Sequence, residues 1–225
     1  MKGLLLAVAG LTAALLSSAS AADKLDPSCS SCHALAKPTD TSLDRLLARK
    51  GPDLWYAGSK FNKDWLVSWL QDPKHIRPAG YPYFKNIKKG DKHDEPDSSK
   101  ILAHPKLNKA DAEAAADALM VLKAPDDLVP AGAFKGDMKG ARMGALAFIK
   151  FRGCVGCHQG ENGEGGLSGP ELTDAGTRLQ PDFIAAYISD PQRFDPHIWM
   201  PTANLKDLDI QRLTAFLAQL GQGGK

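Results

Sequence analysis

Two short stretches hold all four cysteines of the 225-residue chain: "SCSSCHAL" at residues 28–35 and "GCVGCHQG" at residues 153–160. In each, two residues separate the thiols and a histidine directly follows the second. Cysteine pairs of this spacing serve as redox disulfides, halves of zinc sites, iron–sulfur ligands or attachment points for a c-type haem. The histidine discriminates among them. In haem attachment Cys29 and Cys32, and likewise Cys154 and Cys157, form thioethers to one porphyrin edge. The adjacent His33 or His158 then meets the iron. Neither a zinc ribbon nor a thioredoxin-like pair requires an imidazole there, and the chain has only six histidines to place by chance. A four-cysteine zinc site also expects its pairs about 15–20 residues apart, whereas 121 residues separate Cys32 from Cys154. The spacing points to two covalently bound haem c groups.

The N-terminus agrees with a compartment for such chemistry. Lys2 supplies a positive start, "GLLLAVAGLTAALL" an apolar core, and "ASA" at residues 19–21 a small-residue cleavage site. Residues 1–21 read as a signal peptide directing the chain to the periplasm, with an uncleaved membrane anchor as the rival reading. If the signal is cleaved, the product is not an integral membrane protein, because no later segment is apolar enough to span a bilayer. In an oxidising compartment free cysteine pairs tend to form disulfides; here haem would consume the thiols.

Charge excludes other partners. Residues 22–130 carry 17 Lys/Arg against 16 Asp/Glu, and residues 131–225 carry 10 against 10. Such a balance leaves no nucleic-acid footprint. The run "KNIKKGDKHDE" at residues 85–95 reads as a solvated loop.

The elements that must position these ligands are written twice. "GPDLWYAGSKFNKDWLVSWLQDP" at residues 51–73 matches "GPELTDAGTRLQPDFIAAYISDP" at residues 169–191 without a gap, at an offset of 118. Each block follows its own C-x-x-C-H. The Pro-, Gly- and Asp-rich residues 123–137 form the expected linker. Periodicity is helical: Met143, Leu146, Ala147 and Phe151 make one apolar stripe, and Ile210, Leu213, Leu217 and Leu220 another, with Asp207 as its expected cap. Residues 110–122 are the helix-prone counterpart in the first unit. No convincing alternating strand is present. About 100 residues per unit is small for a core of side chains alone, so the porphyrin should supply much of the apolar surface. The expectation is an all-α fold with a signal peptide at 1–21, one unit at 22–130 and a second at 131–225.

Over residues 140–220 the order helix, C-x-x-C-H, Gly-Pro-x-Leu, helix ending in Asp-Pro, Met-Pro and terminal helix resembles a monohaem cytochrome c domain of the mitochondrial and bacterial type. The whole chain resembles soluble two-haem cytochromes c built from two tandem copies of that domain. The resemblance implies Met200 as the distal ligand opposite His158. It also implies that the carbonyl of Pro170 accepts a hydrogen bond from His158, and that of Pro52 one from His33.

The first unit departs from the pattern. At the repeat offset Pro82 falls opposite Met200, with no methionine near. Aligning the terminal helices, Asp111 with Asp209 and Leu119 with Leu217, lowers the offset to 98 and implies about 20 extra residues before the ligand pair. His104, in a His-Pro pair just before its helix, is then the expected distal ligand. His93, Met120, Tyr81, Tyr83 and an open iron are the alternatives; His75 and His197 read as surface residues. Only seven residues separate the cleavage site from Cys29, so the usual N-terminal helix is missing. Either residues 42–50 or the neighbouring unit must cover the gap.

A second imidazole lowers a haem potential and a methionine raises it, within a range of about 0.8 V set by axial ligation. The expected function is electron transfer between a redox protein donor and an acceptor, downhill from a His/His haem to a His/Met haem. Six-coordinate irons leave no place for substrate. The alternative is an enzyme, or its cytochrome subunit, acting on thiosulfate or peroxide; a redox sensor would need an output domain that the chain lacks.

Overall fold

The computed structural model describes Leu25 and residues 27–222; the expected signal peptide lies outside them. The first half runs α1 (Pro27–Ser30), α2 (Leu43–Ala48), α3 (Ala57–Lys60), α4 (Lys63–Gln71), β1 (Ile87–Lys89), β2 (Asp94–Pro96) and α5 (Lys109–Val121). The second runs α6 (Ala141–Leu146), α7 (Ala175–Arg178), α8 (Pro181–Ser189) and α9 (Asp207–Gln219). A wider π turn, Ala147–Phe151, carries α6 onward to the second cysteine pair.

The helix bounds keep the register of the repeat. Helices α3 and α4 lie 118 residues before α7 and α8, and α5 lies 98 before α9. Their contacts correspond as well. The Gly58 amide donates to the Leu122 carbonyl, and the Gly176 amide to that of Leu220. At both glycines a Cβ would collide with a terminal-helix carbonyl, Met120 in one half and Ala218 in the other. Only glycine permits that approach.

Helix α6 crosses α9 with Phe148 against Phe216, ring centroids 5.6 Å apart. Ala141 and Gly144 of α6, continued by Ala147 and Phe148 of the π turn, form the buried face. The expected stripe is corrected here, since Met143 and Phe151 are exposed. Glycine at 144 lets α6 approach the Arg212 backbone, and this rotates the buried face onto smaller residues. On α9, Leu213 and Leu217 are buried as its periodicity requires. Asp207 is the first helical residue and not the cap; its carboxylate pairs instead with Lys135 Nζ at 2.6 Å.

A second correction concerns residues 85–95. They enter an antiparallel hairpin in which Lys88 pairs with Glu95, too short and too charged to show apolar alternation. Buried Asn86 anchors it, with Nδ2 donating to the Pro82 carbonyl at 3.2 Å and its own carbonyl accepting the Asp97 amide at 2.8 Å. Residues 123–137 are tied down too: the Gly132 and Phe134 amides both donate to the Asp182 carboxylate at 2.9 Å.

The halves meet about a local two-fold relationship. Phe61 and Leu179, equivalent in the repeat, form an antiparallel bridge. The Asn62 amide donates to the Arg178 carbonyl and the Gln180 amide to the Lys60 carbonyl, each at 2.9 Å. Asn62 and Gln180 stand at the N-cap positions of α4 and α8, but neither side chain bonds to its own helix. Their side chains cross instead: Asn62 Nδ2 to the Thr177 carbonyl at 2.8 Å, Gln180 Nε2 to the Phe61 carbonyl at 2.6 Å. Tyr56 stacks on Phe183 with centroids 5.9 Å apart, so one apolar core continues across the boundary. Helix α2 joins this boundary through Arg49, which pairs with Asp53 and with Asp195 of the second half.

Candidate functional site

Each cysteine pair is wound into one tight turn. The Cys32 and His33 amides both donate to the Cys29 carbonyl, at 3.2 and 3.0 Å; those of Cys157 and His158 both donate to Cys154, at 3.1 Å. Two thiols and an imidazole are thereby gathered on a single turn, twice. Burial pushes the Cys154 thiol up from its ordinary value, the opposite of the lowered pKa that marks a redox-active pair.

The two histidines are held alike. His33 Nδ1 lies 2.7 Å from the Pro52 carbonyl, and His158 Nδ1 lies 2.7 Å from that of Pro170. A carbonyl only accepts, so the proton sits on Nδ1 and the Nε2 lone pair is left for a metal. Burial is the largest influence lowering both pKa values, which keeps the rings neutral, the form that ligates. The preceding glycines make room: a Cβ at Gly51 would lie 2.7 Å from His33 Nδ1, and one at Gly169 would lie 2.6 Å from His158 Nδ1.

His104 is the residue that the structure brings to His33. Their ring centroids are 6.2 Å apart, with planes at 45°. Subtracting roughly 1 Å for each ring leaves about 4 Å between facing edges, which accommodates one metal with bonds of about 2 Å to each imidazole. His104 Nδ1 is engaged by the Pro105 carbonyl at 2.8 Å, so its Nε2 is also free. Its backing is α4. Trp69 lies 4.7 Å from the His104 ring, the Leu107 amide donates to the Leu70 carbonyl at 3.0 Å, and Lys106 pairs with Asp72 at 2.6 Å.

Among the described residues no other ring stands against His33. His93 is exposed at the hairpin and faces the loop of Gly163 to Ser168 in the second half. His75 and His197 are exposed, and Met120 lies half-buried within α5. Tyr81 packs on Trp199 at 6.0 Å. In the second half Met200 is half-buried and packs against the apolar core, beside exposed Trp199.

The surroundings fit a bound porphyrin. The Trp55 indole N–H is buried without a partner, an orphan donor of the kind that a cofactor's polar group satisfies. Cations collect near the boundary of the halves. Arg178, 3% exposed, pairs with Asp174 at 2.7 Å, and that carboxylate also accepts from Trp65 Nε1 at 3.0 Å. The Lys60 ammonium lies over the rings of Phe61, Phe183 and Tyr56 at 4.9, 5.6 and 5.7 Å. Sequence reasoning passed over Trp69, Arg49 and Arg77. For Arg49 a signal was present, since it stands two residues before the Gly-Pro turn.

Residues 141–221 match the family model of cytochrome c. That stretch is therefore similar to cytochrome c, a family of haem c proteins that transfer electrons. The first half lies outside the match. No curated protein matches the chain, and no solved structure does.

Proposed function

We propose that this chain is a periplasmic two-haem electron carrier. The observation that carries the reading is His104 opposed to His33 at 6.2 Å, in a half whose helices repeat the register of the cytochrome c domain. Cys29 and Cys32 would hold one haem and Cys154 and Cys157 the other. Bound haem supplies a one-electron iron couple in each half. His33 and His104 would hold the iron of the first haem, and His158 and Met200 that of the second. The proline carbonyls of residues 52, 105 and 170 fix the imidazole tautomers and orientations. With two protein ligands to each iron, the chain would carry electrons and would bind no substrate at the metal.

A haem held by His33 and His104 would have the lower potential and one held by His158 and Met200 the higher, so electrons would pass from the first half to the second and on to a redox protein. Residues 1–21 direct export to the periplasm. Among the described residues no helix is long and apolar enough to cross a membrane. The test is a pyridine haemochrome assay on purified protein, with EPR of the oxidised form. Two haems per chain, both low-spin and one with a bis-histidine signature, are expected. One haem per chain, or a full equivalent of CO bound by the reduced wild type, would refute the reading.

A further inference from the structure

The segment between α4 and α5, which carries the extra residues of the first half, reaches the proximal loop of the second. The Ile76 carbonyl accepts the Glu171 amide at 2.6 Å, and Arg77 Nη1 donates to the Ser168 carbonyl. Between these two bonds lie Gly169 and Pro170, the pair that seats His158. Arg77 is thus pinned to the loop that orients the histidine of the other half. Its guanidinium stands 5.5 Å from the Tyr81 ring, which Arg49 flanks at 5.2 Å.

Unlike its neighbouring cations, Arg77 has no protein carboxylate as partner among the described residues. Arg49 has Asp53 and Asp195, and Arg178 has Asp174. Among the described residues no carboxylate lies within 4.0 Å of Arg77. Desolvation is the main influence lowering its pKa, yet a guanidinium stays charged. Its field reaches the site: after burial, Arg77 and Arg178 are the charges that disfavour a proton on His158.

We propose that Arg77, contributed by the first half, raises the midpoint potential of the haem held by His158 in the second. Ferric iron carries one positive charge more than ferrous iron. A fixed cation in a poorly screened site therefore opposes oxidation. The extra residues of the first half make the second centre the better electron acceptor, which reinforces the direction of transfer. This rests on the reading that His158 binds haem, which the family match supports.

The experiment is a redox titration of the haem-loaded full chain, following the centre that shows the methionine-to-iron charge-transfer band. In Arg77→Gln the ferrous-over-ferric preference of that centre should fall about tenfold, a drop of about 59 mV for one electron. The lower midpoint should move less. Arg77→Lys keeps the charge and should recover at least half of the drop. An unmoved upper midpoint in Arg77→Gln, or a lysine variant no better than glutamine, overturns the proposal. Met200→Ala in the same titration separates the two failures. If it leaves band and midpoint unchanged, the ligand assignment fails; if it shifts them while Arg77→Gln does not, only the role of Arg77 falls.

Discussion

His33 and His104 face each other with centroids 6.2 Å apart, each ring held through Nδ1 by a proline carbonyl. The two carbonyls leave the same nitrogen free on both rings, the form of imidazole that can ligate a metal. Replacing His104 with alanine removes one ligand and touches neither thioether. The first haem should stay attached, become high-spin, bind about one equivalent of CO when reduced, and rise in potential. Optical and EPR spectra with a CO titration check this. A variant that stays low-spin and refuses CO would move the ligand elsewhere.

Met200 is expected to complete the other centre. Met200→Ala should abolish the methionine-to-iron charge-transfer band and lower the upper midpoint by on the order of 0.1 V, within the range of about 0.8 V that axial ligands span. The lower midpoint should hardly change. Retention of the band would reassign the ligand to another methionine and remove the basis for ordering the two centres.

Asn62 and Gln180 each direct an amide side chain across the boundary to carbonyls of the opposite half. Truncating either to alanine should cost about 1–3 kcal/mol, because partly buried carbonyls lose their donors. The double variant should depart from the sum of the singles, since both side chains brace the same bridge of Phe61 and Leu179. Guanidinium denaturation of the haem-loaded protein measures this. Losses of only a few tenths of a kcal/mol would mean that the boundary is held by its rings alone.

Lys60 gives the stability a pH dependence. Burial, then Arg178, Arg49 and Arg77, lower its pKa to about 7, against about 10.4 in the unfolded chain. Between those values the unfolded state binds the extra proton, so stability rises as pH increases from about 7 toward 10. Burial raises the Tyr187 pKa to about 12, which acts in the opposite sense only above the ordinary tyrosine range near 10. Denaturation midpoints should climb between about pH 7 and 9.5, and Lys60→Met should flatten the climb. An equal slope in the variant would show that the ammonium keeps its proton in the folded protein.

What could be read from the chain follows from how each feature is encoded. Cysteine spacing and the Gly-Pro turns are local and legible, whereas the pairing of His33 with Pro52 and of His158 with Pro170 came from the family resemblance and is seen in the structure. The two offsets, 118 and then 98, located the extra residues, and the His-Pro pair before the terminal helix made His104 the expected ligand. The hairpin was not legible, because Ile87–Lys89 is three residues with one apolar side chain and its pairing depends on Asn86 at its base. Nor was the buried face of α6, which is set by the close approach of Gly144 to α9 and not by the largest apolar residues. Arg77 left no local signal. Its partner, Ser168, lies 91 residues away on a loop of the other half.

The bridge at Phe61 and Leu179 has a further meaning. It joins equivalent residues by reciprocal bonds, Asn62 to Arg178 and Gln180 to Lys60, the pattern by which two identical subunits close on each other. In a single-unit protein carrying the same edge, that surface would be its own complement and would pair with a second molecule. Here both halves share one polypeptide, so their pairing does not depend on concentration and each half can carry its own side chains. Lys60 opposite Arg178, and His104 in one half where the other has Met200, are differences that a symmetric homodimer could not hold.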